Sequence, residues 1–417
     1  MIPLPEVALP LGLSGTAELP FTRKALRNCW NDNGNIVQRP GFSLISNNGL
    51  VARGEFEWNG GLYAVASQSL IKITNVLTGA YSVIGTITGT ASIRTANGFN
   101  TAVIIVRGGA LYTLDKSDGL TDISDESNIV PCNSVSHLNG RFLYIPSDGS
   151  VAFFSDVGAA ATVQTASFFD AEQLPDNNNE SYQLNNILYI AGDNSTQAFV
   201  DRGTSPVPFQ PQTGRIDVGI IGGVVETQDS STGTTAVLFI GKKKDQTPSI
   251  FASIAGSASK VSNEAIDEII NTYTEAQLAS VVSGRYIWKS HDVVYFTLAN
   301  DSFGFYRGQW HGLDTLINGV DVPWQAGYIQ EFGGKYYSFY AGNFSVMANV
   351  NKDSGNSFTR VIDNGIEQGG SFSAQTMQYH MSQGYNSADG SVYLSMSDDN
   401  VLYGPRVSAS TGKEGHY

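Results

Sequence analysis

The chain has 417 residues, of which 41% are hydrophobic and only 15% are charged, and its 24 basic and 38 acidic side chains give a formal net charge of −14. This balance argues against a protein that grips nucleic acid in a broad basic groove, because clustered Lys and Arg supply most of that affinity. Forty-five glycines, with many β-branched and aromatic residues, predict an all-β protein.

The N-terminal residues 1–45 form an arm-like run that contains five prolines. Proline interrupts regular structure, so we expect this arm to lie outside the main domain. The start lacks the basic residues of a secretion signal, and no stretch approaches the ~18 to 20 apolar residues of a membrane helix. We therefore expect neither a signal peptide nor a membrane anchor.

Residues 46–350 repeat a hairpin-like unit, in which a turn signal, an apolar-aromatic strand, a polar turn and a second strand follow one another. The instances are residues 59–73, 97–115, 138–156, 184–201, 236–254, 292–310 and 333–350. Their spacing of roughly 40 to 55 residues is the period of propeller blades. The predicted fold is a β-propeller of six or seven blades, with a β-sandwich or several small barrels as the competing interpretation.

One segment, "VSNEAIDEIINTYTEAQ" at residues 261–277, has a helical pattern. Ser262 is the predicted N-cap, with Glu264 in the first turn, where the helix dipole favours a negative charge. An apolar stripe at helical spacing follows, made by Ile266, Ile269 and Ile270. Thr274 and Gln277 form a capping-box pattern, which predicts a second short helix.

Three consecutive lysines, Lys242, Lys243 and Lys244, occupy a predicted hairpin turn. The simpler interpretation is a solvated loop tip. The alternative is a contact with DNA or with an acidic partner at the mouth of a ring. The two cysteines, Cys29 and Cys132, are predicted to be buried free thiols in a reducing compartment.

No constellation of catalytic or cofactor-binding residues stands out. The acidic residues are spread over turns, whereas glycoside hydrolysis needs two carboxylates that face one sugar. The five histidines occur in none of the common metal-binding spacings. We therefore predict a protein that is not an enzyme and that has no cofactor and no metal.

Near the C-terminus the repeat fades. The segment "VNKDSGNS" at residues 350–357 is predicted to be a linker. Strand patterns return beyond it without the earlier spacing. The predicted organisation is an N-terminal arm at 1–45 associated with a platform, a propeller at 46–350, and a smaller β platform segment at 351–417.

Four segments, in order along the chain, resemble the packaged-DNA stabilisation proteins of short-tailed bacteriophages. They are "RPGFSLI", with Arg39, Pro40, Gly41 and Phe42; the segment from Arg53 to Ile73; the helical segment and the strand after it, with Ile266, Ile269, Ile270, Tyr273, Thr274, Ser290 and His291; and "VYLSMSDDNVLYGPRV", with Tyr403 and Gly404. Members of that family usually continue past the last hairpin with two Arg-rich strands, which we expect to be trimmed here or supplied by a neighbour.

The resemblance implies a structural virion protein of the phage tail, assembled in the host cytoplasm. It would be a nozzle, or hub: a homohexameric ring that closes the portal–adaptor channel, retains packaged DNA and conducts it during ejection. Implied partners are the adaptor and portal, tail spikes or fibres, and the tail needle, while genomic DNA passes the lumen without specific binding. The alternative function is a glycan-binding or glycan-cleaving propeller.

Overall fold

The computed structural model describes residues 26–32, 35–149, 151–170, 176–228 and 233–358, with three further strands at 361–362, 390–394 and 407–411. Strands dominate and only two short helices occur in this part of the chain, which confirms the all-β prediction. The strands that precede the first blade are β1 (Leu26–Arg27), β2 (Cys29–Asp32), β3 (Asn35–Gln38) and β4 (Gly41–Asn47).

Seven sheets follow, and each is one blade of the propeller. Blades 1 to 6 each contain four consecutive antiparallel strands, and blade 7 contains three. Blade 1 contains β5 (Ala52–Trp58), β6 (Gly61–Ala66), β7 (Ser69–Asn75) and β8 (Ala80–Thr86). Blade 2 contains β9 (Ile93–Asn97), β10 (Thr101–Val106), β11 (Leu111–Asp115) and β12 (Leu120–Asp122). Blade 3 contains β13 (Cys132–Leu138), β14 (Arg141–Pro146), β15 (Ala152–Phe154) and β16 (Phe168–Phe169). Blade 4 contains β17 (Asn178–Leu184), β18 (Ile187–Gly192), β19 (Thr196–Asp201) and β20 (Phe209–Ile216).

The two helices lie between blades 5 and 6. Blade 5 contains β21 (Gly219–Gln228), β22 (Thr235–Lys242), β23 (Ser249–Ile254) and β24 (Ser257–Lys260), followed by α1 (Glu264–Ile270) and α2 (Glu275–Ala279). Blade 6 contains β25 (Val282–Trp288), β26 (His291–Thr297), β27 (Ser302–Tyr306) and β28 (Gln309–Gly312), followed by a hairpin of β29 (Asp314–Ile317) and β30 (Val320–Pro323). Blade 7 contains β31 (Tyr328–Phe332), β32 (Lys335–Tyr340) and β33 (Asn343–Ala348). The remaining strands are β34 (Lys352–Asp353), β35 (Asn356–Ser357), β36 (Val361–Ile362), β37 (Gly390–Leu394) and β38 (Val407–Thr411).

The blades close into a ring. The first strand of each blade contacts the first strand of the next, and β31 of blade 7 contacts β5 of blade 1. Seven buried apolar clusters lie between consecutive blades, and the cluster that joins Phe339 and Phe344 to Leu62 and Ile71 links the last blade to the first. This closure confirms the predicted β-propeller and sets its blade number at seven.

In blades 1 and 2 the second strand is the most buried. In β6 all six residues are buried, and in β10 five of six are, because each of these strands packs against neighbouring blades on both of its faces. This is why the predicted hairpins contain near-continuous apolar runs such as "LYAVA" and "AVIIV".

The turns that join the first and second strands follow one design in five blades. Each has two residues with positive φ, as the favoured two-residue hairpin turn requires. The pairs are Asn59–Gly60, Asn139–Gly140, Asn185–Asn186, Lys289–Ser290 and Gly333–Gly334. One face of the propeller carries the turns between second and third strands and the links from blade to blade, and we call it the connector face. The turns between first and second strands lie on the other face, which we call the opposite face.

N-terminal strands complete the last blades. Strand β4 pairs antiparallel with β33 of blade 7, and β1 pairs parallel with β28 of blade 6. The predicted arm boundary at residue 45 therefore falls inside a propeller strand. The predicted linker at residues 350–357 is wrong, because β34 pairs with β4 and β35 pairs with β34.

Part of the C-terminal prediction lies outside the described residues. Strands β37 and β38 form an antiparallel hairpin, and they flank the "SMSDDNVLYGP" segment. Tyr403 and Gly404 are not among the described residues, so the family motif at that hairpin stays a prediction. The thiols of Cys29 and Cys132 are buried, as expected. Within the described part of the chain, no helix has the length and apolar character to cross a bilayer.

Candidate functional site: the axial mouth on the connector face

The helical insert comprises residues 261–282. Its first helix begins one residue later than predicted. The N-cap is Asn263, whose side chain accepts a hydrogen bond from the Ile266 N–H at 3.0 Å. Ser262, the predicted cap, instead accepts from the Ile250 N–H at 3.0 Å and donates to Asp267 at 2.6 Å. Ser262 is therefore held to blade 5, and the helix starts after it.

The predicted apolar stripe of the insert is confirmed. The side chains of Ile266, Ile269 and Ile270 are buried in one cluster with strands of blades 5 and 6, together with Leu278 and Val281 from the second half of the insert. The insert therefore packs between blades 5 and 6.

The second helix and its capping box are also confirmed. The Thr274 hydroxyl accepts from the Gln277 N–H, and the Gln277 side chain accepts from the Thr274 N–H at 2.9 Å. The Tyr273 hydroxyl donates to Asp301 at 2.8 Å and accepts from the Asn300 N–H at 3.1 Å, which fastens the insert to the β26–β27 turn. These contacts fix the direction in which α2 projects.

The end of α2 reaches the propeller axis. Gly222, on the first strand of blade 5, lies so close that a Cβ there would stand 2.6 Å from the Leu278 carbonyl oxygen. From the far side of the ring, Arg107 of blade 2 donates a hydrogen bond to the Ala279 carbonyl oxygen at 2.9 Å. The insert therefore spans from blades 5 and 6 to blade 2 at the connector face.

A buried carboxylate completes this contact. Glu180 on the first strand of blade 4 is 4% exposed, and it lies 3.5 Å from Arg94 and 3.9 Å from Arg107 of blade 2. Tyr328 of blade 7 belongs to the same cluster, and burial raises the pKa of its hydroxyl despite the nearby arginines. We call Arg94, Arg107, Glu180, Tyr328 and the α2 end the axial seal.

The axial seal was missed by the sequence analysis. Its members come from three blades and an insert, and no local spacing relates them. The one available signal is a charged residue inside an inner strand, as in "SIRTAN" for Arg94 and "NESYQL" for Glu180.

At the other end of the axis, the opposite face holds an open pocket of about 500 Å³ lined by residues that include Glu55, Glu57, Asn97 and Gln330. Glu55 accepts from the Phe339 N–H at 2.5 Å, while its second carboxyl oxygen has no hydrogen-bond partner. Burial raises the pKa of Glu55 well above its usual range, because the charged carboxylate loses its hydration.

The lysine turn joins β22 to β23 on the connector face, beside the insert. Lys242 forms an ion pair with Glu275 at 2.6 Å, and Glu275 is the first residue of α2. Lys243 and Lys244 are exposed, and Lys243 lines a pocket of about 350 Å³ together with Lys260. Only two of the three predicted contact lysines therefore point to solvent.

The N-terminal motif residues lie at the blade 6–blade 7 junction, away from the insert. Arg39 is buried and forms an ion pair with Asp353 at 2.6 Å, Pro40 is also buried, and Phe42 packs against Trp324. At Gly41 a Cβ would collide with the Lys352 carbonyl oxygen, so only glycine fits. These residues hold β4 and β34, which are far apart in the sequence, together.

The predicted "SH" pair has a structural role as well. Ser290 is the second residue of the β25–β26 turn, with φ of 67°. His291 contacts Asp32 at 3.0 Å and the Trp288 carbonyl oxygen at 2.9 Å, and its ring packs edge-on to Trp30. Among the described residues, no group of three or more His, Cys, Asp or Glu side chains could hold a metal ion.

A family model described as "Bacteriophage P22 Gp10, beta-propeller" matches residues 22–338 of this chain. The chain belongs to this family, Phage_stabilise. It is therefore a phage DNA-stabilisation protein and a virion component. No curated protein sequence matches the chain significantly.

Solved structures that match part of the chain include the extracellular domain of a putative one-component system, BT4673, from B. thetaiotaomicron (TM-score 0.47, 8% identity, covering 74% of this chain and 40% of that one). The N-terminal domain of Nup159 gives a TM-score of 0.44 at 10% identity and covers 77% of this chain and 98% of that one. BamB from Moraxella catarrhalis gives 0.40 at 11% identity, covering 73% and 92%.

Proposed function

We propose that this member of the Phage_stabilise family is a tail nozzle, or hub, subunit that closes the portal–adaptor channel, retains packaged DNA and conducts it during ejection. The observation that carries the proposal is the axial seal. A propeller whose own axis is shut at the connector face cannot thread a duplex, so DNA must pass outside each propeller, between copies.

A ring of copies, which we propose to be a homohexamer, supplies such a passage. Each propeller acts as a stiff wall element because every blade is packed against two neighbours. The net charge of −14 suits a passage along which a polyanion slides, since few phosphates would be neutralised by basic side chains. The proposed neighbours are the adaptor and portal on one side and spikes, fibres or a needle on the other.

Genome retention tests this function. A phage that lacks this chain is complemented with the wild-type protein, and nuclease-resistant DNA inside purified particles is quantified. We expect packaging to start normally without the chain and the packaged DNA to leak out. Particles that keep their full genome without it would contradict the proposal.

Lys243 and Lys244 are the proposed contacts with DNA or with an acidic neighbour. Lys242 contributes less because Glu275 already neutralises it. The test is the Lys243→Glu/Lys244→Glu variant, with Lys289→Glu on the opposite face as the matched control. We expect the double variant to lower genome retention and the control to leave it unchanged. Equal genome retention in the double variant and in the control would contradict this proposed contact.

We further propose that the protein is not an enzyme. The alternative, a glycan-binding or glycan-cleaving propeller, has its best location in the open axial pocket, where Glu55 and Glu57 lie on one face of β5. A glycan array and a reducing-sugar assay on the purified chain test it. We expect no binding and no released sugar, whereas activity that disappears in Glu55→Gln would favour the alternative.

A further inference from the structure

The outer edges of the seven blades are not equally protected. An outer strand with unpaired N–H and C=O groups is a template for pairing with another chain, and proteins protect such edges with charges, prolines, short strands or covering segments. Six blades use one of these devices. Strand β12 has three residues and ends in Asp122, β16 has two residues, β20 contains Pro211 and Arg215, β24 ends in Lys260, and β28 and β4 are covered by β1 and β34.

Blade 1 has none of these four devices, and its outer strand carries only a β-bulge, which by itself leaves the rest of the edge open. Its outer strand β8, "AYSVIGT", has seven residues and contains neither a charge nor a proline. No other described strand pairs with its outer edge. A bulge at Ile84 turns that side chain toward the core, and the register is regular over Tyr81–Val83.

The exposed side of this edge is apolar. Tyr81 is 38% exposed, Val83 is 62% exposed, and Leu77 in the preceding turn is 77% exposed. An apolar, uncharged edge is suited to receive an added strand whose main chain supplies hydrogen bonds and whose alternate side chains supply contacts.

The chain itself contains a segment of matching character. Residues 11–19, "LGLSGTAEL", lie between Pro10 and Pro20 and precede the described part of the structure. In an extended strand this sequence would place Leu11, Leu13, Ala17 and Leu19 on one face with Gly15, and Gly12, Ser14, Thr16 and Glu18 on the other. This period of two is typical of a strand that covers one apolar face.

We propose that residues 11–19 of one copy pair with β8 of a second copy.

The length of the connecting segment shows why the pairing would be between copies and not within one copy. Residues 20–25, which join this segment to β1, span at most about 25 Å when extended. Strand β1 lies at the rim of blade 6, and outer strands two blades apart in a sevenfold wheel are on the order of 35 Å from each other, given strand spacings of about 4.8 Å. A segment exchanged between neighbours would fasten copies head to tail into a ring.

The pairing can be mapped directly on the purified full-length chain. Benzoylphenylalanine is placed at Val83, and at Val320, a strand valine that is equally exposed, as the matched control. Equal amounts of ¹⁴N- and ¹⁵N-labelled protein are mixed, irradiated and analysed by mass spectrometry of cross-linked peptides. We expect Val83 to cross-link to residues 11–19, with peptides of mixed isotope content, and Val320 to give no such product.

Three results would overturn the proposal: no cross-link at Val83, a cross-link to any other segment such as residues 363–389, or cross-links within one copy only. A second measurement uses sedimentation at several concentrations. Val83→Lys and the in-strand change Thr16→Pro should each weaken self-association at least tenfold, while Val320→Lys should not, and melting temperatures should stay unchanged. Failure here leaves the proposed DNA-retention function intact, because that function is measured in phage particles.

Discussion

Arg39 is a charged side chain with no solvent exposure, and its contacts explain how the fold tolerates it. Its guanidinium makes two hydrogen bonds to Asp353, at 2.9 and 2.6 Å, and one to the Asn28 side chain at 2.7 Å. The ring of Phe358 lies 3.6 Å from the guanidinium carbon. Because the two ion-pair partners are 314 positions apart in the sequence, the pair acts as a clasp on blade 7.

Removing one partner should leave a buried charge uncompensated, at a cost of about 3 to 5 kcal/mol. We therefore expect Asp353→Ala to lower the free energy of unfolding in urea by that amount. Arg215→Ala, which breaks the exposed pair with Asp217, should cost no more than about 1 kcal/mol. Equal losses in the two variants would contradict the assignment of Arg39 and Asp353 as a clasp.

The buried carboxyl of Glu55 should make the stability of the fold depend on pH. Its folded pKa is raised by burial, so folding favours the protonated carboxyl, and this contribution to stability is complete below the usual carboxyl value and lost as pH rises toward the folded pKa. We expect Glu55→Gln to match the wild type near pH 4 and to exceed its melting temperature at pH 8. The exposed Glu57→Gln is the control, and identical pH profiles for the two variants would show this account of Glu55 to be wrong.

At the scale of elements, the local patterns in the sequence predicted well what depends on neighbouring residues. The hairpins, the isoleucine stripe and the Thr274 capping box are each specified within a few positions, and all three are confirmed. The N-cap was misplaced by one residue because Ser262 is bound to Ile250 of blade 5, twelve positions away. Likewise, nothing near Asp353 in the sequence shows that it pairs with Arg39.

The insert should depend on a residue from blade 2. In Arg107→Leu the Ala279 carbonyl oxygen loses its donor and Glu180 keeps only Arg94. We expect faster hydrogen exchange at the amides of α2, while α1 keeps its protection because its three isoleucines remain packed. Arg141→Leu, which removes a contact to the Ser155 carbonyl oxygen, is the control. If hydrogen exchange at the amides of α2 were unchanged in Arg107→Leu, the assignment of Arg107 to the axial seal would be wrong.

At the scale of the whole molecule, the period of the repeat predicted the propeller, and ring closure settled the number of blades. The axial seal was beyond sequence reasoning, because Arg107 and Ala279 are 172 positions apart and meet only after the ring has closed. The same holds for the protection of the rim: it becomes visible only when the seven outer strands are compared in space.

The central claim is that sealed propellers form the wall of a DNA passage. A cryo-electron microscopy map of the phage particle that contains this chain tests it most directly. We predict copies arranged as a ring around the tail channel, with DNA density between the copies and none along any propeller axis. DNA density through a propeller, or copies located away from the channel, would contradict the claim.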